Sequence, residues 1–551
     1  SMRLPCLLAI VLQCTVITIT AQTKNRLSGS DYILAVNNIK VSLDPSGAIG
    51  YSNYNPFYFH VPANGNVPAM YGGFFWVGGK DELGVARTLT PDWYDDKTES
   101  RFGPFNYDYY DLTEIEYDLL YAPYNRVWLV SKADILYHQL HFNDDDYIMP
   151  EAILNWPGNG DIDNGFSAQL APFIDVNNNL IYEPTLGDYP LIKGDAAIFA
   201  MYHDNILYET DAEVNLNTNI EVHVLMYAFE AAPTDYLGNT LFVDYTIFNR
   251  GDFDFDSLYG GSFVDFAIGA NDDDYCGSDS TLNLFYGYNG DLADGPSEPH
   301  YNTLPALGCL PLSHPLNSFM FLNSDFSPLG YPDNSEQFLY VLDGKFGDGV
   351  QMTTGGNGYN TSATDYTNYM YHGNVNDTTQ WTEITESNTA YWRRGVGSIY
   401  LDKLSPGNST CVTYVYVFAD AGSTTSNTES VDLLKTYSSQ TASFYQTTDT
   451  IGCLETTYIP LSNNNLLSSE VFNVYPNPAE TTLYLTTGFQ ANTNFSFSIY
   501  SMTGSLIFQQ SITNNTDAQT HSININQQAT GAYLLVINYD GYHKTFPVLF
   551  K

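Results

Sequence analysis

Positive charge is what this 551-residue chain has least of: 19 Lys and Arg stand against 62 Asp and Glu, a formal charge of −43. A surface so acidic is unsuited to nucleic acid, whose phosphates need a basic face, and equally to anionic lipid. It favours solubility and divalent cations. Long apolar runs are missing beyond the N-terminus, and none approaches the ~20 residues that a helix needs to span a bilayer. There is no HExxH, no GxSxG, no P-loop and no GxGxxG opening a helix. Zinc-hydrolase, serine-hydrolase and nucleotide-binding chemistries therefore have no motif to stand on. Cysteine is scarce as well, six in all, and none has the spacing of a zinc site or a redox pair.

Aromatic residues are abundant: 45 Tyr and 32 Phe contribute to an aromatic content of 15%. Together with many Gly and Asn and few helix formers, this composition predicts an all-β chain. The apolar content suffices for packed cores, so the charge does not signal disorder. The length predicts two or three domains. Arg3 followed by LPCLLAIVLQCTVITITAQ reads as a signal peptide over 1–21, cleaved near Ala21. Cys14 invites a lipoprotein reading, but Gln13 is a poor residue before a lipidated cysteine. Export leaves Cys276, Cys309, Cys411 and Cys453, and an even number in an exported chain predicts two disulfides. Three pairings exist. The sequence-local one, Cys276 with Cys309 and Cys411 with Cys453, closes the shorter loops and is expected, each bridge stabilising by about 3–4 kcal/mol.

Along the chain, a β-rich region spans 27–455, with a subdomain boundary expected near 210. DYILAVNNIKVSLD and RVWLVSKADILYHQLHF read as strands, and GGFFWVGGKDELGVA as a hairpin around Gly78-Gly79. Residues 148–195 lack periodicity and form a long ordered loop region, of the kind that usually serves a function. NIEVHVLMYAFEA, NTLFVDYTIFNRG and LYGGSFVDFAIG read as consecutive strands, the first two alternating. SFMFLNS, EQFLYVLDG and CVTYVYVFADAG add more, giving a large multi-sheet sandwich. One short helix is expected, opened by a capping box at Ser426 and Glu429, with Val431, Leu434, Tyr437, Ser438 and Tyr445 on one face. Residues 456–469 read as a linker.

The tail, 470–551, repeats short apolar or alternating runs ended by Pro, Asn or Gly, predicting a small Ig-like sandwich. Tyr475-Pro476-Asn477-Pro478, Gly504 and Gly531-Ala-Tyr533 make it resemble the type A C-terminal sorting domain of the type IX secretion system of Bacteroidota. The resemblance implies recognition by the translocon, removal of the tail by a surface peptidase, and attachment at the cell surface or release. Pro547 in the last strand requires an edge or a bulge. NRVWLVS, YIMPEAILNWPGNGD, LAPFIDVNNNLIYEPTLGDYPLIKGD, NTLFVDYTIFNR, DDDYCGSD and GGNGYN, in that order, make the large region resemble a family of exported cargo proteins with no assigned activity. That family places Cys after the Gly where Cys276 precedes Gly277.

The sharpest local motif sets side-chain oxygens at Asp175, Asn177 and Asn179, a carbonyl at Ile181, and later acids at Glu183 and Asp188. Oxygens at positions 1, 3 and 5 with a carbonyl at 7 are how a tight loop wraps Ca²⁺. It is not an EF-hand, since Leu180 stands at the turn glycine and Leu186 at position 12. The competing reading is an Asx-turn loop bonding only to backbone. A second candidate calcium cluster is Asp265 with Asn271, Asp272, Asp273, Asp274 and Asp279, against the reading of a solvated acidic turn. Asp144-Asp145-Asp146 and Asp161 with Asp163 are weaker versions. His138 and His141, expected on a strand, would face opposite sides and share no metal. Arg250-Gly251-Asp252 spells an integrin tripeptide that chance explains. Ser280, Thr378 and Thr450 sit in sequences resembling a Bacteroidota O-glycosylation sequon. Trp76, Trp93, Trp128, Trp156, Trp381 and Trp392 could stack on sugars if exposed, but an all-β core should bury most of them.

The expected protein is a calcium-stabilised, disulfide-stapled β protein. Its function is a non-catalytic structural or adhesive one at the cell surface. A glycan-binding module and a hydrolase with an unidentified carboxylate pair are the alternatives.

Overall fold

The computed structural model describes residues 32–50, 59–91, 100–108, 113–204, 217–295, 299–322, 328–448 and 453, and in the C-terminal region 472–487, 494–501, 506–513, 519–525, 529–539 and 542–551. The signal peptide, the linker, Trp93, Gly504, Thr450 and the expected boundary near 210 lie outside these residues.

The main strands of the large region are β1 (Pro68–Asp81), β2 (Trp128–Ser131), β3 (Ala196–His203), β4 (Ile220–Ala228), β5 (Thr240–Asn249) and β6 (Phe255–Phe266). They continue with β7 (Asp274–Asp279), β8 (Leu284–Asn289), β9 (Ala306–Pro311), β10 (Ser318–Phe321), β11 (Arg393–Leu404) and β12 (Ser409–Ala419). Helices are α1 (Glu114–Tyr121), α2 (Lys132–His141), α3 (Glu151–Leu154), α4 (Ser335–Leu342) and α5 (Glu429–Thr447).

A nine-stranded sheet runs β7-β8-β9-β12-β5-β4-β3 and ends on Arg101–Phe102, with β2 also paired to β3. Strands from both sides of residue 210 share it. A seven-stranded sheet runs β10-β11-β6-β1 and ends on Ile49–Gly50, with Phe59–His60 and Ala86–Leu89 also paired to β1. The two sheets face each other across an aromatic core. Phe75 of β1 stacks on Tyr245 of β5 at 4.2 Å, and the hydroxyls of Ser262 on β6 and Tyr416 on β12 meet at 2.9 Å.

The nine-stranded sheet is buried on its other face too. There Trp156 packs 5.3 Å from Phe199, while Val431 and Leu434 of α5 lie among Phe242, Val415 and Val417. On β4, Val222, Val224 and Met226 enter the inter-sheet core, and Leu225 and Tyr227 enter the outer one. Glu221 and His223, whose alternation suggests a solvent face, are buried as well. Two buried faces explain why this strand reads as nearly continuous apolar sequence.

The expected strand EQFLYVLDG is helix α4. Asn334 caps it by accepting the Gln337 N–H, and Phe338, Leu339, Val341 and Leu342 are buried, a 3–4 residue spacing. RVWLVSKADILYHQLHF divides into β2 and α2. The division falls at Ser131, whose hydroxyl caps Asp134 N–H at 3.0 Å while the Asp134 side chain reaches back. The hairpin near Gly78-Gly79 turns later: both glycines lie within β1, and the chain reverses between Asp81 and Val85. At α5 the cap residue is Thr428 with no side-chain cap bond, so the Ser426–Glu429 capping box does not form.

Cys411 and Cys453 form a disulfide with Cα atoms 5.6 Å apart. Cys276 and Cys309 do not; both are free and buried. Cys276 on β7 faces Gly287 of β8, and Cys309 on β9 faces Phe285 of β8. With β8 between them the two lie about two strand spacings apart, roughly 9–10 Å, beyond disulfide reach.

The tail comprises β13 (Phe472–Tyr475), β14 (Thr482–Thr487), β15 (Asn494–Ser501), β16 (Leu506–Thr513), β17 (Thr520–Asn524), β18 (Gly531–Tyr539) and β19 (Tyr542–Phe550). A three-stranded sheet β13-β14-β17 and a four-stranded sheet β16-β15-β18-β19 enclose Leu483, Leu485, Phe497, Ile499, Leu535 and Ile537. Pro547 lies on β19, an edge strand, where a missing N–H is tolerated.

Candidate functional site

The loop 175–188 is held at its base by the short pairing of Phe173–Ile174 with Tyr189–Pro190. Asp175 Oδ1 accepts the Asn178 N–H at 2.7 Å and Oδ2 accepts the Leu180 N–H at 2.6 Å. Asn177 and Asn179 each accept the N–H two residues on, at 3.1 and 2.8 Å. Asn178 and Leu180 take left-handed backbone, φ 59° and 62°, a conformation that costs a side-chain-bearing residue about 1 kcal/mol. Asp188 is fully buried. Its two oxygens accept the N–H groups of Val176 and Glu183, each at 2.8 Å.

Glu183 Oε2 accepts the side-chain amides of Asn177 and Asn179 at 3.3 and 2.5 Å. The motif therefore brings Glu183 and the two amides into one turn, while among the described residues no group of three or more acidic, His or Cys side chains is placed to hold a metal. The donor set is hard oxygen, as Ca²⁺ requires, and every side-chain oxygen that accepts one N–H keeps a second lone pair.

The second acidic set is not brought together. Asp265 sits on β6 at 3.9 Å from Arg394. Asp279, at the far end of β7, pairs with Lys435 at 3.0 Å. Asp272 is exposed. Asp273 and Asp274 instead meet Asp294, which sequence spacing gave no reason to choose. Asp274 accepts the Ile268 N–H at 3.1 Å, Asp273 that of Gly295 at 2.8 Å, and Asp294 those of Ala270 at 2.8 Å and of Tyr301. Burial pushes the Asp294 carboxyl up to about 7, against the pull of its two backbone donors. Burial, helped by the neighbouring Asp273 and Asp294, raises Asp274 well above the carboxylate range.

The remaining candidates are occupied by structure. His138, on a helix and not a strand, is buried with Nδ1 2.7 Å from the Tyr147 hydroxyl, whereas His141 is half-buried and lies 2.8 Å from Asp144. Asp161 caps the turn at Asn164. The guanidinium of Arg250 donates to buried Glu221 at 2.7 Å, which removes it from any exposed integrin-type tripeptide. Trp76, Trp128, Trp156 and Trp381 are core residues; Trp392 is half-buried. Ser280 and Thr378 sit in exposed turns.

In the tail the predicted motif residues converge on the C-terminal strand. Asn477 Oδ1 accepts the Leu549 N–H at 2.8 Å. Ala479 donates to the Leu549 carbonyl, and Lys551 donates to the Ala479 carbonyl, each at 2.8 Å. Gly531 lies opposite Phe550 in the β18–β19 register. Tyr533 stacks on Phe550 at 4.4 Å and donates to the Ala529 carbonyl at 2.8 Å. Tyr475 stacks on Tyr484 at 5.6 Å, and both remain exposed. Residues 473–548 match the family described as secretion system C-terminal sorting domain. The tail is a type IX sorting domain.

No curated protein matches the chain. Among solved structures, dimeric latent PorU from Porphyromonas gingivalis aligns at 11% identity over 64% of this chain and 31% of that one, with a TM-score of 0.13. A likeness that slight carries no argument about fold or function. The sorting domain places the protein among substrates of the type IX machinery, with secretion and surface display as its route. Among the described residues, no helix is long and apolar enough to cross a membrane.

Proposed function

We propose that the type IX system exports this chain as a non-catalytic structural or adhesive surface protein. In this reading, loop 175–188 is closed by a structural Ca²⁺ and the sorting domain is removed by a surface peptidase. The observation that supports the calcium reading is the gathering of the oxygens of Asn177, Asn179 and Glu183 in one turn, where Glu183 accepts both side-chain amides; the Asp175 bonds to the Asn178 and Leu180 N–H groups are those of an Asx turn. Asp175, Asn177, Asn179, the Ile181 carbonyl and Glu183 would hold the ion, with Asp188 anchoring the loop base.

The non-catalytic reading draws support from three buried acids that are committed to ion pairs, whereas Asp274 and Asp294 have no cationic partner among the described residues. Glu221 is held by Arg250 and His223, Glu383 by Arg393, and Asp244 by Lys193. Calcium present at 100 times its dissociation constant should stabilise the fold by about 2.7 kcal/mol. EDTA should therefore lower the melting temperature of the wild type, and Asp175→Ala should abolish the difference. An EDTA-insensitive wild type would sink the calcium reading.

A further inference from the structure

An open cavity of about 310 Å³ lies where β10 ends and β11 begins. Its size is at the low end of small-ligand sites, and its walls are rigid. The Arg393 guanidinium grips Glu383 through two hydrogen bonds, Nε to Oε1 at 2.8 Å and an Nη to Oε2 at 2.6 Å. It also donates to the carbonyls of Thr389 and Tyr391 at 2.9 and 3.0 Å. The segment that presents the cavity's side chains is thereby fixed from beneath. Asn357, which also lines the cavity, follows Gly356, whose carbonyl accepts the Trp381 indole N–H at 3.1 Å.

What faces the opening is aromatic and neutral. Tyr391 is 55% exposed, Trp392 is half-buried beside it, and the hydroxyl of Thr389 and the amide of Asn357 are exposed. The Trp392 indole N–H is buried without an acceptor among the described residues. Two arginines line the cavity, yet both are answered: Arg393 by Glu383, and Arg394 by Asp265 at 3.9 Å while it stacks 5.3 Å over Trp392. The site therefore offers no surplus positive charge, and the acidic chain around it repels anions.

We propose that this cavity binds a neutral sugar, with a pyranose C–H face on Tyr391 and Trp392 and ring hydroxyls on Asn357 and Thr389. An aromatic face is electron-rich and suits the partly positive C–H edge of a sugar. Short-range hydroxyl and amide groups supply the directional contacts. The proposal adds a ligand to the surface role and is independent of the calcium reading.

The test titrates the full exported chain with maltotriose, cellotriose and laminaritriose, and with trigalacturonate as the charged counterpart. Binding is followed by tryptophan fluorescence and calorimetry. At least one neutral trisaccharide should saturate below ~10 mM, a weak affinity typical of a single sugar site. Tyr391→Ala should weaken it by about tenfold or more, which is 1.4 kcal/mol, and Asn357→Ala by a few-fold. Both should keep the wild-type melting temperature, since both side chains are exposed. Three results would each overturn the proposal: no neutral trisaccharide saturating, trigalacturonate binding in preference, or Tyr391→Ala binding as wild type does.

Discussion

The large region and the sorting domain solve the same problem, a stable two-sheet β structure, with different resources. Of the 62 acidic residues only Glu470, Glu480, Asp517 and Asp540 lie in 470–551, with Lys544 and Lys551 opposing them. The tail is therefore nearly neutral, and almost the whole charge of −43 belongs to the cargo. The sorting domain rests on one apolar core and on backbone stitching between Asn477, Ala479 and the chain end. The large region buries a sheet on both faces and sinks several of its few cations into the interior, Lys193, Arg393 and Arg394. The difference teaches that the acidic surface is a property of the cargo, while the sorting domain is held together with almost no charge.

The largest effect that would test this division is on export. Deleting 473–551 should remove the protein from the extracellular and surface fractions. Tyr533→Ala, which loses the stack on Phe550, should reduce secretion substantially while leaving the unfolding transition of the large region in place. Fractionation with immunoblotting, paired with calorimetry, reads both. A tail variant that lowers the stability of the large region would break the comparison.

Next in size is the interior of the cargo. Arg393→Ala leaves Glu383 buried and unpaired, and should cost about 3–5 kcal/mol in urea unfolding. Double replacement of Glu383 and Arg393 by apolar residues should recover much of that loss, because a buried pair stabilises little over a well-packed apolar substitute.

The smallest effect sharpens the electrostatic half. Asp294 has a folded-state pKa near 7, raised by burial from an ordinary value of 3.8. Between those values the folded chain binds more protons than the unfolded one, so stability falls as pH rises through that window, by at most about 1.4 kcal/mol per unit. Asp274, raised in the same direction, adds to the slope. Urea midpoints should therefore increase from pH 7.5 to pH 5.5. Asp294→Asn should flatten that trend, and an unchanged slope in the variant would assign the dependence elsewhere.

Much of the architecture was legible because it is written in local periodicity. Strands β4, β5, β6 and β12 and the sandwich of the tail follow from apolar runs ended by turn residues. The loop 175–188 follows from its Asx spacing. Two helices were misread for one reason: in SKADILYHQLHF and NSEQFLYVLDG the aromatic and branched residues favour strand, and the capping residues Ser131 and Asn334 were the overlooked signal.

By itself the sequence determined the class, the export address and the acidic loop, because each depends on neighbours a short distance along the chain or on a compact motif. Only tertiary structure decided that β8 separates Cys276 from Cys309, that Asp294 and not Asp279 joins Asp273 and Asp274, and that Arg250 turns inward to Glu221. It also decided that Tyr391 and Asn357 share one cavity. Those outcomes depend on which strands become neighbours, and strand order is set by burying both faces of the large sheet at once, a global condition that no window of sequence contains.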